Sequence, residues 1–142
     1  MAPKFSNAQS IEEAIALGEY LGFKVQLDAN ASIDIAGIEA RLFSNEGRSR
    51  HFVVLSSVTG FRHDMALSQF GGPVTAVATY GQETRYADLS NVPELQGISE
   101  SFEIRLYFYG DPGRPRHKFE DNDAVGLGES TGRELSLFGR IK

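Results

Sequence analysis

The ten residues Ser101-Phe-Glu-Ile-Arg-Leu-Tyr-Phe-Tyr-Gly110 carry the pattern that decides the fold. Phe102, Ile104, Leu106 and Phe108 alternate with Glu103, Arg105, Tyr107 and Tyr109. Side chains of an extended chain point to opposite faces in turn, so this period of two predicts a strand with a buried row and an outward row. The same period recurs toward the N-terminus. Phe23, Val25 and Leu27 alternate with Lys24 and Gln26, and Ile33 and Ile35 follow the turn residues Asp28-Ala29-Asn30. Ile38, Ala40 and Leu42 then oppose Glu39, Arg41 and Phe43. His51–Ser57 is apolar on both sides, which predicts a strand in mid-sheet or beneath a helix. Val74–Tyr80 and Glu134–Ile141 read as further strands, while residues 58–73 and 111–132 are rich in turn formers and read as loops.

One helix precedes the strands. Ser10 and Glu13 fit a capping box, and Ile11, Ala14, Ile15 and Leu21 share a side, predicting a helix over 10–21. A single helix followed by six to eight short strands predicts an all-β antiparallel sandwich or barrel. No repeat, low-complexity tract or linker divides the 142 residues, so one domain is expected over 1–142, with 1–8 a disordered tail.

Composition narrows the function classes. Nineteen acidic against fourteen basic residues leave a net charge of −5, which argues against coating nucleic acid, and no nucleic-acid partner is expected. No apolar run approaches the ~20 residues of a membrane span. Without cysteine there are no disulfides, thiolate metal sites or cysteine nucleophiles. Met1-Ala2-Pro3-Lys4 shows no signal-peptide core.

Motifs for catalysis are weak. Gly126–Gly132 lacks the spacing and the Lys of a phosphate loop and leads toward a strand. His51, His63 and His117 lie too far apart for metal-ligand spacing, and no Gly-x-Ser-x-Gly elbow is present. A non-enzyme is expected. Glu120, Asp121 and Asp123 could hold a structural Ca²⁺, with a solvated acidic loop as the plainer reading. Arg114, Arg116, His117 and Lys118 make a basic stretch that these acids blunt. The outward row Arg105, Tyr107 and Tyr109 stands about 6.8 Å apart per step on one face. Tyrosine rings suit the C–H faces of sugars, and Arg suits hydroxyl, carboxylate or sulfate groups. Arg41 and Phe43 form a similar outward pair, a candidate to join the same face. The opposing reading is that this face is buried under the helix or the second layer.

Several segments occur in an order that resembles a group of secreted bacterial β-sandwich domains. Ser10–Val25 is similar to their leading helix and first strand, and Ile35–Leu42 to their second strand. His51–Phe61 resembles a strand, Ser-Ser, turn, Gly-Phe element; Asp88-Leu-Ser90 and Phe102–Gly110 resemble a later pair; Leu135–Gly139 resembles a closing strand. Thr59 stands where the group often has an acid, and the segment after Gly110 is more charged than theirs. The resemblance implies a jelly-roll-like sandwich of the kind used by carbohydrate-binding modules. It implies a polysaccharide or oligosaccharide ligand, no cofactor beyond a structural Ca²⁺, and an extracellular or cell-surface location beside other domains of a larger secreted protein. Two other classes stay open: an acidic mobile-element protein that inhibits a host protein by surface binding, and a structural surface or adhesion domain.

Overall fold

The computed structural model describes residue 8 and residues 10–18, 20–44, 50–62, 71–74, 83–109, 125–127 and 135–142. The described residues form an antiparallel all-β sandwich with one short N-terminal helix. Helix α1 spans Ile11–Leu17, and the strands are β1 (Tyr20–Val25), β2 (Ile33–Ser44), β3 (Arg50–Ser56), β4 (Gly71–Val74), β5 (Glu83–Asp88), β6 (Phe102–Tyr109), β7 (Val125–Leu127) and β8 (Leu135–Ile141). One sheet runs β1-β6-β3-β4. In the other, β2 is central, with β5 on one side and β7 and β8 paired along it.

The helix is shorter than the expected 10–21. Ser10 caps it by accepting from the Glu13 N–H at 3.1 Å. At the other end Gly18 turns left-handed at φ 68 and its N–H closes on the Ala14 and Ile15 carbonyls. Leu21 therefore belongs to β1, opposite Leu106.

The inner faces meet in one core. Ile33, Ile35, Ile38, Ala40 and Leu42 of β2 face Phe52 and Val54 of β3 and Phe102, Ile104, Leu106 and Phe108 of β6. The step from Ile35 to Ile38 breaks the period of two, and the register slips between Ile35 and Gly37. Ala36 is the extra, exposed residue of a β-bulge, which keeps both isoleucines inside.

Two loop expectations are corrected. Gly71-Gly72-Pro73, read as a turn, is strand β4 at the sheet edge, with Pro73 opposite His51. An edge position tolerates a proline that cannot donate. Val125–Leu127, inside the expected 111–132 loop, pairs with Leu42–Ser44 of β2. Of the tail expected over 1–8, only Ala8 is described, and it is buried beside the helix. No helix among the described residues is long and apolar enough to cross a membrane.

Candidate functional site

The row Arg105, Tyr107 and Tyr109 does share the outer face of its sheet, opposite Leu55, Val53 and His51 of β3. That face is not open. Ile11, Ala14 and Ile15 of α1 close over Val53, Leu55 and Tyr107 in a second apolar cluster. Tyr107 is only 1% exposed, so its ring is a core ring rather than a platform for a ligand. Its hydroxyl accepts from Arg105 Nη1 at 3.0 Å, and its ring lies 5.1 Å from that of Tyr20, tilted by 50°.

Arg105 is equally committed. Its Nε and Nη2 donate to the two Glu103 carboxylate oxygens at 3.0 and 3.3 Å. Its guanidinium lies 4.2 Å from the centre of the Tyr20 ring and 3.9 Å from that of Phe61. The Glu103 hydrogen bonds hold its pKa above the ordinary arginine value, against the opposing effect of burial. Gly22 makes this possible, since a Cβ there would lie 2.7 Å from Glu103 Oε1 and 3.2 Å from the Tyr20 ring. Tyr109 is half-buried and stacks on His51 at 5.2 Å. Burial, and then the negative charge of Glu12, push its hydroxyl pKa up.

The opposite sheet presents a different outer face. Gly37, Glu39 and Arg41 of β2 point outward, with Asp88, Tyr86 and Thr84 across on β5 and Phe138 and Ser136 across on β8. Tyr86 is 56% exposed and Phe138 is 45% exposed. Their ring centres lie 6.2 Å apart with planes tilted by 57°. Gly37 sits beneath them: a Cβ at that position would lie 2.7 Å from Tyr86 Cζ and 2.8 Å from Cε2. Arg41 lies beside Glu39, with Nε 3.9 Å from Oε1. Of the expected outward pair, Arg41 thus belongs to this face. Phe43 is placed opposite Gly126 on β2, and its side chain lies outside the described residues.

Tyr86 escaped sequence reading because Glu83–Asp88 shows no apolar alternation; only Ala87 packs against the core. Phe138 did carry a signal. Leu135 and Leu137 face inward, so an aromatic residue in the polar phase of the same strand stands out.

Asp121 and Asp123, with Glu120, lie outside the described residues, as do His63, Arg114, Arg116, His117 and Lys118. Among the described residues no cluster of His, Asp or Glu is arranged to hold a metal ion. Two aromatic rings on an open sheet, amid hydroxyl, carboxylate and guanidinium groups, can stack on an apolar ring face while bonding polar groups around it. No protein-family model, curated protein or solved structure matches the chain.

Proposed function

We infer that the protein is a non-catalytic module that binds a polysaccharide on the outer face of the β5-β2-β8 sheet. The observation that supports this reading is the exposed pair Tyr86 and Phe138, lying 6.2 Å apart over Gly37. A pyranose ring has an apolar C–H face and a hydroxyl rim. The pair supplies two tilted apolar surfaces, and Glu39, Arg41, Thr84, Asp88 and Ser136 on the same face supply hydrogen-bonding groups of both kinds. A protein-docking face would instead centre on a larger apolar patch shielded from water. The resemblance to secreted bacterial carbohydrate-binding sandwiches agrees with this ligand class. It also supports an extracellular or cell-surface location beside other domains.

A panel of neutral and acidic polysaccharides, tested by affinity electrophoresis and a glycan array, decides the matter. Retention by at least one polysaccharide, weakened in Tyr86→Ala and in Phe138→Ala, is the expected result. Absence of retention by every polysaccharide refutes the reading and favours a protein partner or a structural role. Retention unchanged in both variants moves the site off this face.

A further inference from the structure

One end of the sandwich carries a groove that lies apart from the Tyr86–Phe138 face. Lys24 and Gln26 from β1 and the residue after it, Ser57 and Phe61 from the turn after β3, and Ser101, Phe102 and Glu103 at the start of β6 line it. It encloses about 430 Å³, within the ~300–1,000 Å³ span of small-molecule sites.

Its two serines are set in one sense. Ser57 Oγ accepts from the Glu103 N–H at 2.8 Å, and Ser101 Oγ accepts from the Leu27 N–H at 3.0 Å. Each hydroxyl oxygen is thereby fixed, and among the described residues neither hydroxyl proton is donated in turn. Lys24 lies directly across the sheet from Glu103. Both Glu103 oxygens are nevertheless taken by Arg105, so the carboxylate is already matched by a guanidinium. Among the described residues Lys24 has no carboxylate partner, and the groove holds one unmatched positive charge beside two hydroxyl donors.

The wall is held in a strained conformation. Phe61 has φ 56, a left-handed backbone that a bulky residue rarely adopts. Its N–H donates to the Ser56 carbonyl at 2.8 Å, the preceding Gly60 N–H donates to the Ser57 carbonyl at 3.0 Å, and its ring is stacked on Arg105. Ser56 is fully buried, and its Oγ accepts from the Val58 N–H at 3.2 Å. The turn is thus over-determined, and it fixes a large ring in the groove wall above the nearly buried Phe102.

We propose that this groove binds a small sugar acid of hexuronate size, a hydroxylated ring bearing one carboxylate. The carboxylate meets Lys24 and the two serine hydroxyls, whose protons are available to donate. The ring lies on Phe61 and Phe102, and Gln26 reaches its hydroxyls. This site stands independently of the polysaccharide face.

Titration of the full chain with sodium glucuronate, followed by backbone amide NMR, tests it, with glucose as the neutral control. Saturable shifts are expected at Lys24–Leu27, Ser57–Phe61 and Ser101–Glu103, with glucose binding about tenfold more weakly or worse. Lys24→Gln should weaken glucuronate about fivefold or more at unchanged melting temperature, Lys24→Arg should restore most of the affinity, and added salt should weaken the wild type. No saturable shift at tens of millimolar glucuronate overturns the proposal. So does equal binding of glucose, or an affinity that Lys24→Gln leaves unchanged. Tyr86→Ala should leave these shifts intact, so failure of either site is read without the other.

Discussion

Replacing Tyr107 separates a buried structural ring from an exposed binding ring. The side chain is 1% exposed and is enclosed by α1, β3 and the Tyr20 ring. Truncating a buried aromatic to alanine removes its transfer free energy and leaves a cavity, together costing about 3–5 kcal/mol. That figure already includes the lost Tyr20 contact, so the aromatic pair is not added again. The freed Arg105 Nη1 is partly within reach of water, because the Arg105 side chain is 24% exposed. Its lost acceptor therefore adds little. Tyr107→Ala is expected to lower stability by about 3–5 kcal/mol, a large fraction of the ~5–15 kcal/mol typical of a domain. For a chain of this size the melting temperature should fall by roughly 10–15 °C. Tyr107→Phe keeps the ring and loses one hydrogen bond, so a cost of about 1 kcal/mol is expected. Thermal and urea unfolding, followed by circular dichroism, measure both variants. A Tyr107→Ala protein that melts within about 2 °C of the wild type would show that helix α1 does not cover this ring.

The remaining predictions contrast positions that look alike in sequence. Tyr86→Ala and Phe138→Ala should leave melting almost unchanged and weaken polysaccharide retention, each by on the order of 1 kcal/mol, or several-fold in affinity. Gly37→Ala should have the same signature, because the added Cβ meets the far end of an exposed tyrosine that can swing away. Gly139→Ala should instead destabilise by about 1–3 kcal/mol, since its Cβ would lie 2.7 Å from the Asp34 carbonyl oxygen and 3.3 Å from Ile33 carbons; comparable melting of the two alanine variants would refute the distinction. Asp34 hydrogen-bonds Lys142 at 2.7 Å and the Gly97 N–H at 2.7 Å, and these contacts hold its pKa below the ordinary 3.8. A depressed carboxylate stabilises the fold above its unfolded pKa and loses that effect as pH falls through the folded value. The melting difference between wild type and Asp34→Asn should be present at neutral pH and close only below pH 3.8; a gap that persists into stronger acid would refute the assignment to this charge.

The elements that were legible in the sequence are those with an apolar phase. β6 and β3 were read almost to the residue, because Phe102, Ile104, Leu106 and Phe108 repeat at two and Phe52–Leu55 is apolar throughout. Even the bulge in β2 left its mark, in the three-residue step from Ile35 to Ile38. The edge strands β4 and β5 left none. β4 is Gly-Gly-Pro-Val, whose composition favours turns, and it becomes a strand through pairing with β3. β5 contributes only Ala87 to the core, so its pairing with β2 creates its period rather than the reverse. Ser10 marks the start of the helix in the sequence, whereas its end lies at Gly18 in the left-handed region, a stop that apolar spacing does not register.

The same asymmetry explains why the outward row of β6 is covered. Alternation tells which residues share a face and says nothing about what covers that face. Arg105, Tyr107 and Tyr109 were assigned to one face correctly, yet that face also carries Val53 and Leu55, the apolar outer row of β3. Two sheets can bury only their inner rows against each other. A strand apolar on both sides therefore needs a third layer, and helix α1 is available to supply it. Ala14 and Ile15 of α1 meet this demand, which places Tyr107 inside and leaves Arg105 to neutralise Glu103 at the margin. Among the described residues the outer row of β2 makes no such demand, since Glu39 and Arg41 are both polar. An aromatic ring that appears there, as Tyr86 and Phe138 do, is exposed to solvent and free to meet a ligand.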